Sequence, residues 1–514
     1  MVDNFGHQQP GVKISVMQSP GTNTITDTSG VFEIAAAIGS KLVISYPGYY
    51  TDNYKVKDTS AIRIQLVKSY LQDPAVIDVL YDTIRKQSNN GAVGAIYSRQ
   101  LTTTPATSYM YALAGRLAGL RIKQEAGYRA PYVGGLLKQA NLIGGQSPDA
   151  KFGEGFTGNE TSEFTANLRS QAPIIMIDGV QRDFTSLDMD NIESVSVLKD
   201  GLSTILLGQQ SSRPVLLITT TKPQLGAPRI SLSAQTGVQN ALTKPQTLSA
   251  YEYAFLYNEA LQNMGNEPIY KQADFDAYRN QSDPLGHPDV DWFDKLLKSN
   301  ARISRYNVGL NGGNNTARYV VSLGYMNQEG MFRDYNLEKY STALTYNRYT
   351  VNTNVDVNVT KNFNVALQLF GRIQDGNQPG TGPADLLSAL YSTPNNAYPV
   401  YNPNGSFGGN NQFTNNLFAR LTKSGYTQDY ARDVMANLVL KYKFDDFVKG
   451  LYFRMQANTT VGATTSIIRT KVNPVYQYFE NNDGFGYNAF GGISAQSNAF
   501  NLSSNYQNTY AQVA

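Results

Sequence analysis

The chain has 514 residues, a nearly balanced charge of 43 Lys and Arg against 40 Asp and Glu, and no cysteine. The length exceeds one ordinary domain. The charge balance offers no field that would recruit nucleic acid or an anionic membrane surface, and the lack of cysteine excludes disulfides, thiolate metal sites and Cys nucleophiles. Only 16% of the residues are charged, whereas 44 are Gly, 35 Tyr and 22 Phe, a mixture typical of long β structures with many turns and aromatic surface bands.

The sequence contains no candidate membrane helix, because no stretch approaches the roughly 18 consecutive apolar residues that such a helix needs. The opening MVDNFGHQQP lacks the basic and apolar regions of a signal peptide. If the protein crosses a membrane, we therefore expect it to cross with strands. We also expect an export signal to have been removed or to lie upstream, and the 514 residues to be part of a longer chain.

Residues 1–70 carry the pattern of a small β domain. Short β runs alternate there with turn signals, namely GVKISVM, TDTSGVFEI, KLVISYPGYY and AIRIQLV. Asp27, Ser29 and Gly30 fit a hairpin turn between two of these strands. The pattern predicts a small β-sandwich that serves as an accessory module.

A linker region at 71–100 leads into residues 101–225, which mix helix and strand. Apolar residues of SYMYALAGRLAGLRI recur at helical spacing, with two glycines placed for close backbone packing: Tyr109, Leu113, Leu117 and Leu120, with Gly115 and Gly119. APIIMIDGV and RPVLLITTT are short apolar runs of the buried-strand type. Between them, LDMDNIESVSVLKDG predicts a loop, a helical turn from Met189 to Glu193, a strand and a turn. We therefore predict an α+β domain.

From residue 226 to 514 the sequence consists almost entirely of long amphipathic strands. In VNTNVDVNV, residues 351–359, valines alternate with asparagines and an aspartate. The alternation fits a soluble sheet with its valines in a core. It equally fits an outer-membrane barrel with valines in lipid and polar side chains in a wet lumen.

The connections between these strands favour the barrel. Short connections near residues 312, 360 and 445 alternate with long ones at 240–301, 329–339, 375–429 and 464–497. Short turns at one rim and long loops at the other are typical of a transmembrane antiparallel barrel. Nine residues at about 3.3 Å each also extend far enough to cross most of a bilayer core when tilted. By period and turn signals we count roughly eight such strands.

The energetics of burial orient the two faces of these strands. An Arg or Lys facing lipid near the bilayer midplane costs about 2 to 4 kcal/mol, so the polar face is predicted to border the lumen. The residues predicted to face the lumen are Asn352, Asn354, Asp356, Asn358, Arg372, Lys441 and Arg454. The predicted fold class is thus mainly β: a transmembrane antiparallel β-barrel, an α+β domain and a small preceding β-sandwich.

At APIIMIDGV, MDNIESVSVLKDG and VLLITTTK the sequence resembles the SusC/RagA-type TonB-dependent transporters of Bacteroidetes outer membranes. The resemblance to this family continues through DWFDKLLKSNARISRYNVGLNGGNNTARYVVSLGYMNQEGMF, so it covers most of the chain. It places the family's plug motif on Ile177, Asp178, Gly179, Glu193, Leu198, Lys199 and Asp200. The small β domain matches the carboxypeptidase-regulatory-like module that precedes the plug in such proteins.

The resemblance implies a barrel of 22 strands around an α+β plug, of which only a part is present here. It also implies a TonB box, the segment that TonB captures as an added strand, at Val76, Ile77, Asp78, Val79, Leu80 and Tyr81. Val76, Val79 and Leu80 suit an extended, exposed peptide, although an ordinary linker with a short strand remains an alternative. The implied partners are TonB, a SusD-like surface lipoprotein and outer-membrane lipid. A larger complex or a dimer of SusC–SusD pairs stays open, and no cofactor is implied.

Two departures from the family pattern keep a second function open. LLGQQSSRP, residues 206–214, stands where relatives carry a Gly-Arg-Gly-Ala-Asn-Gly type of run, and a Gly- and Asn-rich segment at 131–170 replaces a compact strand. The leading hypothesis is an importer of oligosaccharides or peptides. The alternative is a SusC-derived scaffold subunit of a larger outer-membrane assembly that no longer transports.

An enzyme is not expected from the titratable residues. The two histidines, His7 and His287, are far apart in loop-like sequence and are predicted to be solvated. Asp188, Asp190 and Glu193 are predicted to be helix-start acids, because the loop lacks the glycine and distal Glu of an EF-hand calcium site.

Glycine-rich stretches offer no clear binding site either. GGLLKQANLIGG is predicted to be a flexible linker and not a phosphate-binding loop. The aromatic residues of NPNGSFGGNNQF could stack on sugars or bind peptide side chains, but Gly and Asn there equally fit ordinary turns, which we favour.

Overall fold

The computed structural model describes residues 1–2, 8–17, 19–46, 49, 51–66, 76–104, 109–124, 164–181, 187–481, 484–492 and 497–513. By its internal contacts the chain divides into two compact units. The first comprises Met1–Ile77 and Ile84–Ser88, and the second Asp78–Thr83 and Asn89–Ala514. The predicted linker GGLLKQANLIGG and His7 lie outside the described residues.

The first unit is built on one antiparallel sheet with the order β2-β1-β3-β4. Its strands are β1 (Lys13–Val16), β2 (Ser19–Ile25), β3 (Lys41–Ser45) and β4 (Asp52–Lys55). The predicted turn is present: the Asp27 carboxylate accepts from the backbone N–H groups of Ser29 and Val31, at 2.9 and 2.8 Å. Gly30 has a φ of 71°, a conformation that glycine adopts without a steric penalty.

The second layer of this unit, which was predicted to be a sheet, contains no strand at residues 31–37 and 61–64. Apolar residues from these segments nevertheless pack on the sheet as strands would. These residues are Phe32, Ile34, Ala36, Ile62 and Ile64. Among the described residues of this unit, the predicted sandwich is therefore one sheet covered by irregular chain.

A short hairpin, β5 (Val76–Val79) and β6 (Asp82–Arg85), follows and leads into a 3-10 turn at Lys86–Ser88. The α+β domain begins with β7 and has a five-stranded sheet of order β11-β10-β13-β12-β7. Its strands are β7 (Val93–Tyr97), β10 (Ile174–Ile177), β11 (Val180–Gln181), β12 (Ile192–Leu198) and β13 (Val215–Thr220). A separate pair is formed by β8 (Leu120–Gln124) and β9 (Phe164–Leu168). The strand β7 comes from the region that the sequence predicts as a linker.

The helices among the described residues of the α+β domain are short. They are α1 (Ser98–Thr102), α2 (Tyr109–Leu113), α3 (Gly201–Thr204) and the 3-10 helices Met189–Asn191 and Ile205–Gln210. The longer helix expected from SYMYALAGRLAGLRI ends at Leu113, because Gly115 and Gly119 have φ values of 72° and 87° and turn the chain. The prediction that Gly115 allows close packing was wrong, since a Cβ there would meet no atom within 4 Å.

The remaining chain forms one long antiparallel sheet of eight strands, which matches the predicted number. In spatial order they are β14 (Gly226–Gln239), β15 (Ala301–Gly313), β16 (Ala317–Glu329), β17 (Thr345–Asn358), β18 (Phe363–Pro379), β19 (Gly425–Lys443), β20 (Tyr452–Thr470) and β23 (Ser497–Val513). We call this the long sheet. Its described strands do not close on themselves, so the 22-stranded barrel remains a prediction.

The predicted alternation of short and long connections is confirmed. Short turns at 314–316, 359–362 and 444–451 alternate with loops at 240–300, 330–344, 380–424 and 471–496. The loops carry α4 (Ala250–Asn263), α5 (Gln272–Asn280), α6 (Trp292–Leu296), α7 (Pro383–Ser392), α8 (Leu417–Thr422) and a hairpin of β21 (Val475–Asn481) and β22 (Gly484–Phe490). Three of these loops share a hydrophobic core around Trp292, Leu386 and Phe418, which we call the loop core. The long loops are therefore folded, a feature that turn signals alone did not predict.

The two faces of the long sheet differ as predicted. Val351 is 47% exposed while its neighbour Asn352 is 4% exposed. Tyr306, Tyr325 and Tyr349 form a row of contacting rings across three strands on the valine side. Tyr349 pairs with Ile373 of β18. Ten residues from Ile373, towards the short turns, Phe363 contacts Tyr442 on the same side of the sheet. Two aromatic rows about 30 Å apart along the strands fit the two interfaces that border a lipid-facing band.

No helix among the described residues combines the length and the apolar character needed to cross a membrane.

Candidate functional site

The polar face of the long sheet lies against the α+β domain, and the strongest contacts between them are ionic. Arg305 of β15 donates to Asp188 and to Asp190, each at 2.5 Å. Arg348 of β17 adds a third pair, 3.8 Å from Asp188. The side chains of Arg305 and Asp188 are only 6% and 3% exposed. Because a buried charge without a partner is costly, these groups hold the domain and the sheet together only while they stay paired.

Burial and charge act in opposite directions on the two acids. Burial acts to raise the pKa of Asp188, but the guanidinium groups of Arg305 and Arg348 outweigh it and lower that pKa. For Asp190 burial dominates over the pull of Arg305, and the negative charge of Asp188 adds to it, so that its pKa is raised. As predicted, Asp188 and Asp190 are helix-start acids, at the N-cap and in the first turn of the 3-10 helix Met189–Asn191. The prediction was wrong for Glu193, which lies in β12.

A second set of contacts uses neutral amides. Asn354 of β17 donates to the backbone carbonyl of Thr221 at 2.8 Å. Gln456 of β20 donates to the carbonyl of Asp178 at 3.2 Å and to Asn437 at 3.1 Å. These bonds attach the end of β13 and the turn after β10 to the wall formed by the long sheet.

That turn explains the sequence IDG. Asp178 and Gly179 have φ values of 51° and 82°, which suit Asp and Gly better than other residues. The Asp178 carboxylate accepts from the N–H and the hydroxyl of Thr220, at 2.9 and 2.7 Å. Ile177 is 2% exposed in the domain core. A Cβ on Gly179 would lie 3.4 Å from the Tyr81 ring, so a larger residue would press on that ring.

The other predicted motif residues stabilise the same domain. Glu193 accepts from the backbone N–H of Lys222 at 3.2 Å, and burial raises its pKa despite the nearby Lys222 charge. Leu198 is fully buried at the end of β12. Lys199 donates to the carbonyl of Ala118 at 3.0 Å. Asp200 caps α3 by accepting from the N–H of Ser203 at 3.0 Å.

The TonB-box candidate lies in the hairpin and is less exposed than predicted. Only Val76 keeps the expected exposure, at 40%, whereas Ile77 and Leu80 are 4% and 2% exposed. Leu80 packs with Val79 and Tyr81 in a core cluster that includes β10 and β13. The Asp78 carboxylate accepts from Ser194 at 2.6 Å and lies 3.5 Å from Lys222. Burial opposes ionisation of Asp78, but these partners lower its pKa.

The seven side chains predicted to face the lumen all lie on the face of the long sheet opposite Val351, by strand register. Asn352, Asn354 and Arg372 are buried, and Arg372 pairs with Asp433 across β18 and β19. The other four bind one another or neighbours on that face: Asp356 with Arg318, Asn358 with the Asn315 carbonyl, Lys441 with the Tyr452 ring, and Arg454 with Gln456.

A narrow cavity remains between the domain and the polar face. It is lined by Asp178 and Thr220 on one side and by Asn352, Gln368 and Asn437 on the other. Its lining also includes the apolar side chains of Ile177, Leu187 and Met435, so amide and apolar groups are mixed there. Sequence reasoning missed this cavity and the roles of Arg305, Arg348 and Gln456. The alternation that sets Arg305 opposite Tyr306 did signal that it belongs to the polar face.

In the described part of the chain, no group of three His, Asp or Glu residues could hold a metal ion. His287 was predicted to be a solvated loop residue, and this prediction was wrong, because both of its ring nitrogens contact aspartates. In the loop NPNGSFGGNNQF the aromatics pack on the loop core, and Asn402 and Asn410 bond to the backbone, as the turn interpretation predicted.

Comparison with known proteins identifies the α+β domain. Residues 85–213 match the family model of the TonB-dependent receptor plug domain, and from here we call this domain the plug. The chain is 26% identical over 475 residues to TonB-dependent receptor P3 of Formosa agariphila, covering 89% of this chain and 41% of that protein. It is 26% identical over 359 residues to TonB-dependent receptor SusC of Bacteroides thetaiotaomicron, covering 66% of this chain and 31% of that protein.

The fold agrees with these relatives. The solved structure of the RagAB peptide transporter aligns with a TM-score of 0.55 at 19% identity, over 76% of this chain and 46% of that one. The open-open state of the RagAB peptide importer aligns with a TM-score of 0.54, over 85% of this chain and 53% of that one. The chain thus spans about two fifths of the P3 receptor and about half of the RagAB chains. These relatives are receptors and transporters, in agreement with the expectation that the chain is not an enzyme. The plug match and these relatives support a SusC/RagA-type TonB-dependent transporter, a family of outer-membrane β-barrels.

Proposed function

We propose that this chain forms the plug and part of the barrel wall of an outer-membrane importer of oligosaccharides or peptides. The observation that carries the proposal is the seating of the plug on the polar face of the long sheet, through Arg305 and Asp188. The opposite, valine-bearing face is left exposed. A wall with one aliphatic side and one side occupied by a plug has a use in a gated membrane pore and none in a soluble sheet.

TonB is the proposed source of energy, acting through the segment Val76–Tyr81. An added strand must expose its backbone N–H and C=O groups to the partner, whereas this segment pairs with β6 and buries Leu80. In this proposal the hairpin opens before TonB binds it. The bonds of Asp78 to Ser194 and Lys222 are the polar contacts that opening must break.

The cargo and the surface partner follow from the relatives. SusC and the RagAB peptide transporter are the named relatives, and a SusD-like lipoprotein is the proposed lid over the long loops.

A scaffold subunit is the second candidate, and one observation favours it. Leu202 and Ile205, just before the divergent run in the plug, and Leu206, its first residue, are 67%, 64% and 65% exposed. An apolar cluster of this kind on a protein surface marks a site of protein interaction. A scaffold that no longer transports would retain this surface and would not need the TonB box.

Deletion of Val76–Tyr81 from the full-length protein separates the two functions. In the natural host, an importer should lose uptake of labelled oligosaccharides or peptides while its amount in the outer membrane, measured by immunoblot, stays unchanged. The control is Val76→Ala, which removes an exposed side chain and keeps the strand, and it should import normally. Unchanged uptake in the deletion variant, with co-purifying partners retained, would reject the importer in favour of the scaffold.

A further inference from the structure

His287, in the loop 240–300, is held between two carboxylates. Its Nε2 lies 2.8 Å from Asp274 Oδ1, and its Nδ1 lies 2.9 Å from Asp283 Oδ2. A neutral imidazole has one N–H and one lone pair, so it can donate to only one of two carboxylates. The other ring nitrogen would then face an acceptor with no hydrogen between them. Because the pKa values of Asp274 and Asp283 are lowered and both are ionised near neutral pH, the geometry favours the doubly protonated, positively charged ring.

Neither carboxylate is free to turn away. Asp274 Oδ2 accepts from the backbone N–H of Lys271 at 2.7 Å, as part of the cap of α5. Asp283 Oδ1 accepts from the backbone N–H of Gly286 at 2.9 Å, which shapes the turn before the histidine. The edge of the His287 ring also meets Tyr278, with centroids 5.1 Å apart. Loss of the ring proton thus breaks a contact that local rotation cannot replace.

The residues after His287 connect the helical pair α4 and α5 to the loop core. Asp289 accepts from the N–H of Ala250 at the start of α4, at 3.0 Å. Val290 donates to the carbonyl of Asn395 at 2.9 Å, and Trp292 enters the loop core. On its free side, α4 carries Phe255, which is 55% exposed. His287 is therefore placed where α5 joins the segment that leads into the loop core.

The groups around the His287 ring decide whether its pKa is raised or lowered. Asp274, Lys271 and Tyr278 belong to α5 and its cap, Asp283 and Asp289 to the connecting segment, and Tyr478 of β21 faces Asp283. Burial acts to lower the pKa of His287, but its bonds to Asp274 and Asp283 and their charges raise it above 6.5. A raised pKa means that the stabilisation is complete below pH 6.5 and is lost as the pH rises through the folded-state value.

We propose that Asp274, His287 and Asp283 form a pH-sensitive clasp, which fastens α5 to the loop core when the ring is charged and loosens it when the ring is neutral. The clasp makes the helical pair 250–280 a movable part of an otherwise fixed loop assembly. The clasp responds to pH changes around neutrality, which the outer surface of a bacterium meets. Its action does not require transport. The chain has only one other histidine, His7, so few groups besides His287 titrate near neutral pH.

Hydrogen–deuterium exchange of the full-length protein in detergent, followed by mass spectrometry between about pH 5.5 and 8.5, tests the clasp. After correction for intrinsic exchange rates, peptides covering 271–287 should lose protection roughly threefold to tenfold as the pH rises, the worth of one partly exposed charged hydrogen bond. Peptides of α8, which has no histidine partner, should stay constant and serve as the internal control.

Three variants make the outcome decisive. His287→Gln should give weak protection that no longer varies with pH, and His7→Gln should behave as the wild type. Asp283→Asn should keep α5 protected at high pH, because the amide can accept from Gly286 and donate to the unprotonated Nδ1. Protection of α5 that is independent of pH in the wild type, or a pH dependence that persists in His287→Gln, would overturn the proposal. Loss of protection in Asp283→Asn at high pH would do the same.

Discussion

Arg305 of the long sheet donates to Asp188 of the plug at 2.5 Å, and both side chains are almost completely enclosed. The two residues are 117 positions apart in the sequence. Their pair, with Asp190 and Arg348 beside it, is the ionic part of the contact between the plug and the long sheet. The amide contacts of Asn354 and Gln456 form the neutral part. Predictions about plug release follow from this division.

Asp188→Asn should weaken the attachment of the plug by about 3 to 5 kcal/mol, because Arg305 and Arg348 then share only Asp190. The chain has no cysteine, so a single Ser196→Cys in the buried strand β12 reports plug opening through thiol labelling in urea. Labelling should begin at lower urea in the Asp188→Asn background. Asp190→Asn is the matched control and should have the smaller effect, because burial already raises the Asp190 pKa. Identical urea midpoints for all three proteins would contradict the assignment.

Mild acid should leave the plug attached. The pKa of Asp190 is raised, so protonation as the pH falls removes the cost of burying its charge and does not destabilise the plug. The pKa of Asp188 is lowered, so its stabilisation is present above 3.8 and is lost as the pH falls through the lowered value. Exchange protection of peptides from 192–198 should thus hold from neutral pH to about pH 4 and fall below it. A steep loss near pH 6 would be the contrary result.

Val355→Arg should disturb insertion into a bilayer. Val355 lies on the valine face between the two aromatic rows, where an Arg facing lipid costs about 2 to 4 kcal/mol. Asp356→Asn changes the adjacent position on the polar face and should cost less than about 1 kcal/mol, because it removes only a partly exposed ion pair with Arg318. The fraction of folded protein in reconstituted vesicles, measured by urea titration, compares the two. Equal stability of both variants would speak against lipid contact at Val355.

Leu386→Ala should loosen the loop core by about 2 to 5 kcal/mol, since Leu386 is fully buried there. Leu387→Ala, at the next residue of the same helix, should cost little because that side chain is 39% exposed. Trp292 is the only tryptophan of the chain and lies in this core. Its fluorescence should shift to the red at lower denaturant in Leu386→Ala only. Unchanged fluorescence unfolding in Leu386→Ala would show that the loops do not fold as one core.

Local patterns were enough to predict the strands of the long sheet and their two faces. Alternation at 351–359 sorts valines from asparagines because successive side chains of a strand point to opposite sides. The number of strands and the order of short and long connections followed in the same way. Local patterns failed in the plug, where the apolar spacing predicts a helix that continues past Leu113. The backbone turns there instead, because Gly115 and Gly119 have positive φ values.

The sequence by itself determined the amphipathic strands and the resemblance to the family, because both depend on residues close together in the chain. The tertiary structure alone decided that Asp188 and Asp190 meet Arg305, that the TonB-box candidate buries Leu80, and that His287 sits between two aspartates. These contacts depend on which distant segments are brought together. A carboxylate at a helix start has the same local sequence whether or not it meets a buried arginine, and only folding distinguishes the two cases.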